Sequence, residues 1–183
     1  MRDRPTCSIK NMSDHEYFIR PVRPEDSPSL IQLIYELAVY EKAPRLAVAT
    51  PELITKHIFE TRTANALLVF SGSLKDPGEA IAFALYFFNF STWTGRPGLY
   101  LEDLYVKPEH RNKGIGKALF KELAIIAQDR DCARMDWSVL KWNQPSIDFY
   151  EKCLHAKTQD EWVSMRLEEE GIENLKNINT KKE

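Results

Sequence analysis

The chain is short of cysteine. Cys7, Cys132 and Cys153 lie far apart and are odd in number, with no Cys-x-x-Cys anywhere. That pattern argues against a disulfide framework or a cysteine zinc site and suits a reducing compartment. Long apolar runs are missing too. The longest, residues 81–88, is far shorter than the ~20 residues a membrane helix requires. Residues 1–17 hold no apolar stretch, so no signal peptide is visible and the expected location is the cytoplasm. An excess of positive charge is also absent: the formal net charge of -2 argues against a protein that coats nucleic acid. Two familiar phosphate loops fail for want of particular residues. A nucleotide-triphosphate loop ending at Gly116-Lys117 needs glycine where Arg111 stands and Ser or Thr where Ala118 stands. A dinucleotide loop starting at Gly114 needs a glycine where Leu119 stands.

What is present reads as one globular domain. A length of 183 residues buries a proper core, and 43% hydrophobic with 28% charged residues fits a soluble protein. The stretch the chain is organised around is residues 100–117. Tyr100, Leu101, Leu104, Tyr105 and Val106 are strand formers, and Pro108 ends the strand. Ile115, Leu119, Leu123 and Ile126 then recur at helical spacing. A strand end and a helix N-terminus therefore meet in a short loop. The N–H groups of a first helical turn, with the helix dipole behind them, favour an anion. Arg111, Lys113 and Lys117 crowd that turn, and Gly114 and Gly116 let a ligand approach the backbone. The expectation is a diphosphate cradle, with Glu102 and Asp103 upstream on the strand. Side chains alternate along a strand, so these two carboxylates are expected to face opposite ways.

Along the chain, residues 1–16 read as a flexible extension, residues 17–168 as the single domain and residues 169–183 as a polar tail. Strands are expected near residues 17–20, 66–70, 81–90, 100–106, 134–140 and 161–167. Ser27 reads as the N-cap of a helix with Pro28 in its first turn, and Pro51 opens a second, short helix. Residues 114–130 form the cradle helix. Asn143 caps a further helix that carries Pro145, Phe149 and Tyr150. The order gives a mixed α/β sheet.

Arg111-Asn112-Lys113-Gly114-Ile115-Gly116, preceded by Leu101-Glu102-Asp103 and followed by Asn143 and Tyr150, resembles the acetyl-CoA motif of the GNAT N-acetyltransferases. Val39-Tyr40-Glu41-Lys42, Ser91-Thr92-Trp93-Thr94-Gly95, Tyr100-Leu101-Glu102-Asp103, Trp142-Asn143-Gln144 and Phe149-Tyr150 resemble the diamine branch, which covers spermidine/spermine and thialysine acetyltransferases. The similarity spans roughly residues 19–167. It implies a largely antiparallel central sheet flanked by helices and splayed between two central strands to take acetyl-CoA. It implies acetyl transfer to a small primary amine, with Glu102 as base or amine anchor and Tyr150 as general acid. Cofactor contacts would come from Leu104, Tyr105, Val106, Arg111, Asn112, Lys113, Gly114, Ile115, Gly116, Lys117, Asn143, Ser146 and Tyr150. Tyr40, Glu41, Trp93, Glu102 and Asp136 would form an acidic, aromatic-walled acceptor pocket. The resemblance implies a homodimer, and no metal, nucleic-acid partner or membrane partner is expected. A protein lysine or N-terminus as acceptor, or an idle coenzyme A-binding module, are the alternatives. Two positions depart from the branch. Ser91 stands where polyamine-specific members carry an acid, and Cys153-Leu154-His155 replaces the usual glycine turn after Tyr150, which predicts a strained turn there.

Overall fold

The computed structural model describes residues 17–178 and residue 180. The expected N-terminal extension, with Cys7, lies outside the described residues. The chain divides into two compact units, the first ending at Ser138 and the second beginning at Val139. That division falls inside the stretch expected to be one domain.

The first unit is built on a five-stranded sheet in the order β1 (Tyr17–Pro21), β2 (Asn65–Gly72), β3 (Pro77–Ser91), β4 (Arg96–Val106) and β5 (Arg134–Trp137). The first four pair antiparallel and β5 joins β4 in parallel. β3 is apolar on both faces because the sheet is covered on both. On one face Phe18, Leu68, Phe70, Phe83 and Tyr105 pack against Leu30, Leu33 and Leu37 of α1 (Ser27–Tyr40) and against Ile58. The helix α3 (Ile115–Asp129) buries Ile115, Leu119 and Leu123 and packs on β3 and β4. Between these lies the short α2 (Pro51–Ile54), capped by the Thr50 side chain and continued by a π-helical turn, Thr55–Glu60. Among the described residues no helix is long and apolar enough to cross a membrane.

Two pairing details shape the middle of β4. Leu85 pairs with Asp103 and Tyr86 with Leu101, so Glu102 is an extra residue in a β-bulge. And β5 pairs only with Gly98 to Leu101, so from Glu102 to Val106 that edge of β4 has no strand partner among the described residues. The expected splay between two central strands does not form: β2, β3 and β4 stay paired along their lengths, and the open stretch of β4 arises where β5 ends at Trp137.

The second unit holds α4 (Gln144–Asp148), a π-helical turn Phe149–Cys153, and α5 (Glu169–Leu175). Several expectations are corrected here and at α1. The strand expected over residues 161–167 does not form, and Val163 and Met165 are 82% and 87% exposed. Alternation alone makes no strand without an edge to pair with. The tail expected to fray contains α5, whose first turn carries Glu169 and Glu170, the sign the helix dipole favours. Strand β5 stops at Trp137 instead of Leu140. Ser27 is not the N-cap: the turn Pro24–Asp26 already starts the helical path, and the Ser27 hydroxyl donates to the Pro24 carbonyl at 2.8 Å. Asn143 does hold the N-cap position of α4, but its side chain makes no capping bond.

The departure after Tyr150 has the predicted strain. His155 sits at φ 56, a left-handed conformation that an L side chain occupies at a cost. The Ala156 N–H donates to the Tyr150 carbonyl at 3.0 Å and fixes the turn. H155G is expected to raise stability by about 0.5–1 kcal/mol, read as a higher denaturant midpoint with an unchanged slope. A lower midpoint would show that the histidine side chain stabilises the turn.

Candidate active site

The strand, turn and helix expected to frame the cradle form where the sequence places them. β4 ends at Val106, a short turn spans Pro108–His110, and α3 opens after Gly114. Two left-handed residues bend the loop, Asn112 at φ 61 and Gly114 at φ 79. Asn tolerates that region better than most side chains, and glycine enters it freely. The N-cap of α3 is Gly114, which has no side chain to cap the first-turn N–H groups. Asn112 and Lys117 are exposed, and Lys113 and Gly116 partly so. G114A is expected to cost about 1 kcal/mol of stability and to weaken coenzyme A binding at least ~10-fold, checked by melting and calorimetric titration. A melting change with unaltered affinity would make the glycine purely structural.

Arg111 is placed differently from the other basic residues. Its Nε–H donates to the Val106 carbonyl at 2.9 Å. Its guanidinium lies 4.7 Å from the centre of the Tyr40 ring and 5.7 Å from that of Tyr105. The side chain thus staples the end of α1 to the end of β4. The loop sequence alone does not reveal this, since both rings come from elsewhere in the chain.

Upstream, three carboxylates converge. The Asp103 carboxyl is pushed up to about 6, first by burial and then by the negative charges of Glu102 and Glu41. Burial also raises Glu41, which caps the C-terminus of α1. Glu102 is exposed and Asp103 half-buried. The strict alternation expected of this pair fails at the bulge, which re-aims the extra residue. Burial among like charges is the signal that singles out Asp103. Such a cluster attracts a cation and holds a carboxyl with a pKa near neutrality, the condition for taking a proton from an amine.

The remaining candidates fall at varying distances. Leu104, Tyr105 and Val106 supply the open edge of β4. Asp136 pairs across β4 with Tyr100 and binds Arg134 at 2.8 Å. Trp93 is 88% exposed at the β3–β4 turn. Arg96, just after that turn, precedes Glu102 by six residues, or about 20 Å along a strand, so the backbone does not bring Trp93 to the carboxylates. Ser91 is buried and its hydroxyl accepts from the Thr94 N–H at 3.4 Å, which ties it to the turn. In the second unit, Asn143 is buried and Ser146 and Tyr150 are half-buried, Tyr150 in the π-helical turn beside Phe149 at 5.7 Å between ring centres.

Comparison with known proteins gives the family. Residues 32–155 match the family described as Acetyltransferase (GNAT) family. The chain is 37% identical over 165 residues to thialysine N-epsilon-acetyltransferase of Sus scrofa, covering 86% of this chain and 95% of that protein. It is 32% identical over 153 residues to the Caenorhabditis elegans thialysine N-epsilon-acetyltransferase, covering 82% and 91%. An integron cassette protein of V. cholerae superposes with a TM-score of 0.70 at 26% identity, covering 88% of this chain and 98% of that one. A cradle at a helix start, a strand opened at a bulge, and a family match across both are consistent on one point: the chain belongs to the GNAT family of acetyltransferases.

Proposed function

We propose that the protein transfers the acetyl group of acetyl-CoA to a primary amine of a small cationic acceptor, a diamine, polyamine or thialysine- or lysine-like compound. The observation that carries this reading is the grouping of Glu41, Glu102 and Asp103 where β4 loses its partner, on the strand that leads into the cradle. The relatives named for thialysine acetylation support the acceptor class.

Each step has a residue in this chain. An aliphatic amine near pKa 10.4 is ionised at neutral pH, with only about one molecule in a thousand free to attack. The carboxylates hold the ammonium, and Glu102 takes its proton directly or through water. The N–H groups of Leu104 and Val106 point away from β3 toward the open edge, suited to an extended arm pairing as an added strand and to polarising a carbonyl. The cradle of Asn112 to Lys117 takes the diphosphate, and Asn143 and Ser146 contact the arm. Tyr150 gives its proton to the departing thiolate. Residues 17–168 would work as one catalytic domain, as a homodimer in the cytoplasm.

The deciding experiment is a thiol-release assay against diamines, spermidine, thialysine and lysine. Turnover is expected on short diamines or thialysine, with poorer use of long polyamines because Ser91 leaves out an acid. No turnover on any of them, with acetylation of a peptide instead, would move the acceptor to protein amines.

A further inference from the structure

Arg111 opens the cradle loop, yet its side chain turns back toward α1. Both rings that its guanidinium meets are anchored. Tyr105 is buried in the core shared with α1, and Tyr40 packs on the same cluster. Tyr40 is the last residue of α1, and Glu41 follows as its C-cap. The chain then leaves the helix at once. The Lys42 N–H donates to the Val39 carbonyl at 3.0 Å, and Lys42 turns left-handed at φ 62. Glu41 is therefore placed by the last turn of α1, the turn to which Tyr40 belongs. From there its charge reaches Asp103 on β4.

The third contact of Arg111 lies on the open edge of β4. The Lys107 N–H donates to the Ile81 carbonyl at 2.9 Å, so the peptide groups of Val106, one residue earlier, point away from β3. Arg111 Nε–H fills the Val106 carbonyl on that side. A planar guanidinium that donates to a carbonyl and lies over two rings has much of its binding surface committed within the protein. Lys117, by contrast, is exposed on the first turn of α3, where a bare charge suits a diphosphate.

We propose that Arg111 is a positioning residue for the acceptor: braced on Val106, its guanidinium holds Tyr40 and so sets where Glu41 stands against Asp103, and it leaves the diphosphate to the rest of the loop. This rests on the amine-acetyltransferase reading and deepens it. The backbone of Arg111 belongs to the cradle and its charge to the wall of the acceptor site. Its loss is read at the amine, not at coenzyme A.

The experiment compares R111Q, Y40L, the double variant and K117Q with the wild type. Thialysine acetylation, calorimetric coenzyme A affinity and melting temperature are measured for each. R111Q is expected to raise the thialysine KM about 5–10-fold at nearly constant kcat, with coenzyme A affinity within about twofold. K117Q should do the reverse, weakening coenzyme A and sparing the amine KM. Y40L should raise the amine KM as R111Q does, and the double variant should add little to either, because both remove one contact. A coenzyme A affinity that falls about tenfold in R111Q, with the amine KM unmoved, would assign the guanidinium to the diphosphate and overturn the proposal. Additive losses in the double variant would overturn it too, as would a lower melting temperature with both ligands weakened alike. If no amine is acetylated, the transferase reading fails by itself. Calorimetric titration of thialysine into the coenzyme A complex then decides the role of Arg111. Weaker binding in R111Q and Y40L, no worse in the double variant, supports it, and binding equal to the wild type overturns it.

Discussion

Replacing Tyr150 with phenylalanine is expected to lower kcat by about 10²–10³-fold and to leave coenzyme A affinity within about twofold. The ring stays and only the hydroxyl goes, so packing beside Phe149 is retained. The local backbone supports a role beyond packing. Tyr150 lies in a π-helical turn directly after α4, and such turns are rare and collect at functional sites because the widened turn redirects a side chain. A phenol also carries a proton that it can donate to a leaving thiolate. Steady-state rates and calorimetry check the pair of outcomes. An unchanged kcat would remove the acid role. A loss of coenzyme A affinity equal to the loss of rate would make the hydroxyl a binding contact.

Local chemistry was readable and non-local chemistry was not. The strand, proline break, glycine-bearing loop and helix of residues 100–117 follow from composition and period, and each forms. The turn at Cys153-Leu154-His155 was legible as strained because a left-handed position had no glycine to fill it, and His155 is left-handed. The bulge at Glu102 was not legible: it arises from the register between β3 and β4, which neither strand encodes alone. The same holds for Arg111, whose ring partners Tyr40 and Tyr105 come from α1 and β4. Residues 161–167 failed in the opposite direction, with an alternating pattern and no strand to pair with among the described residues. Asp103 was hidden for the first reason: its surroundings depend on the bulge and on where α1 delivers Glu41.

D103N is expected to make the protein more stable and less active at once. The Asp103 carboxyl stands at about 6 in the folded chain against an ordinary 3.8. A raised carboxyl favours the fold while protonated. Its contribution is complete below about 3.8 and is lost as pH rises through about 6. Above that, the ionised group sits half-buried beside Glu102 and Glu41, at a cost of about 1–3 kcal/mol. Asparagine keeps the shape without the charge, so D103N should melt higher than the wild type at pH 8 and about equally at pH 4. Activity should move the other way. The wild-type kcat/KM is expected to fall below about pH 6 as Asp103 takes up its proton, since a neutral acid neither holds an ammonium nor accepts from it. D103N should lose that acid limb and run about 10–100-fold slower at pH 8, mostly through KM if the group anchors and through kcat if it relays the proton. A purely structural carboxylate would give the reverse pairing, with stability and activity falling together. An acid limb that stays near pH 6 in D103N would assign it to another group. Opposed signs are the mark of a site that holds like charges together against the preference of the fold, which is worth doing only where a cation is to be bound.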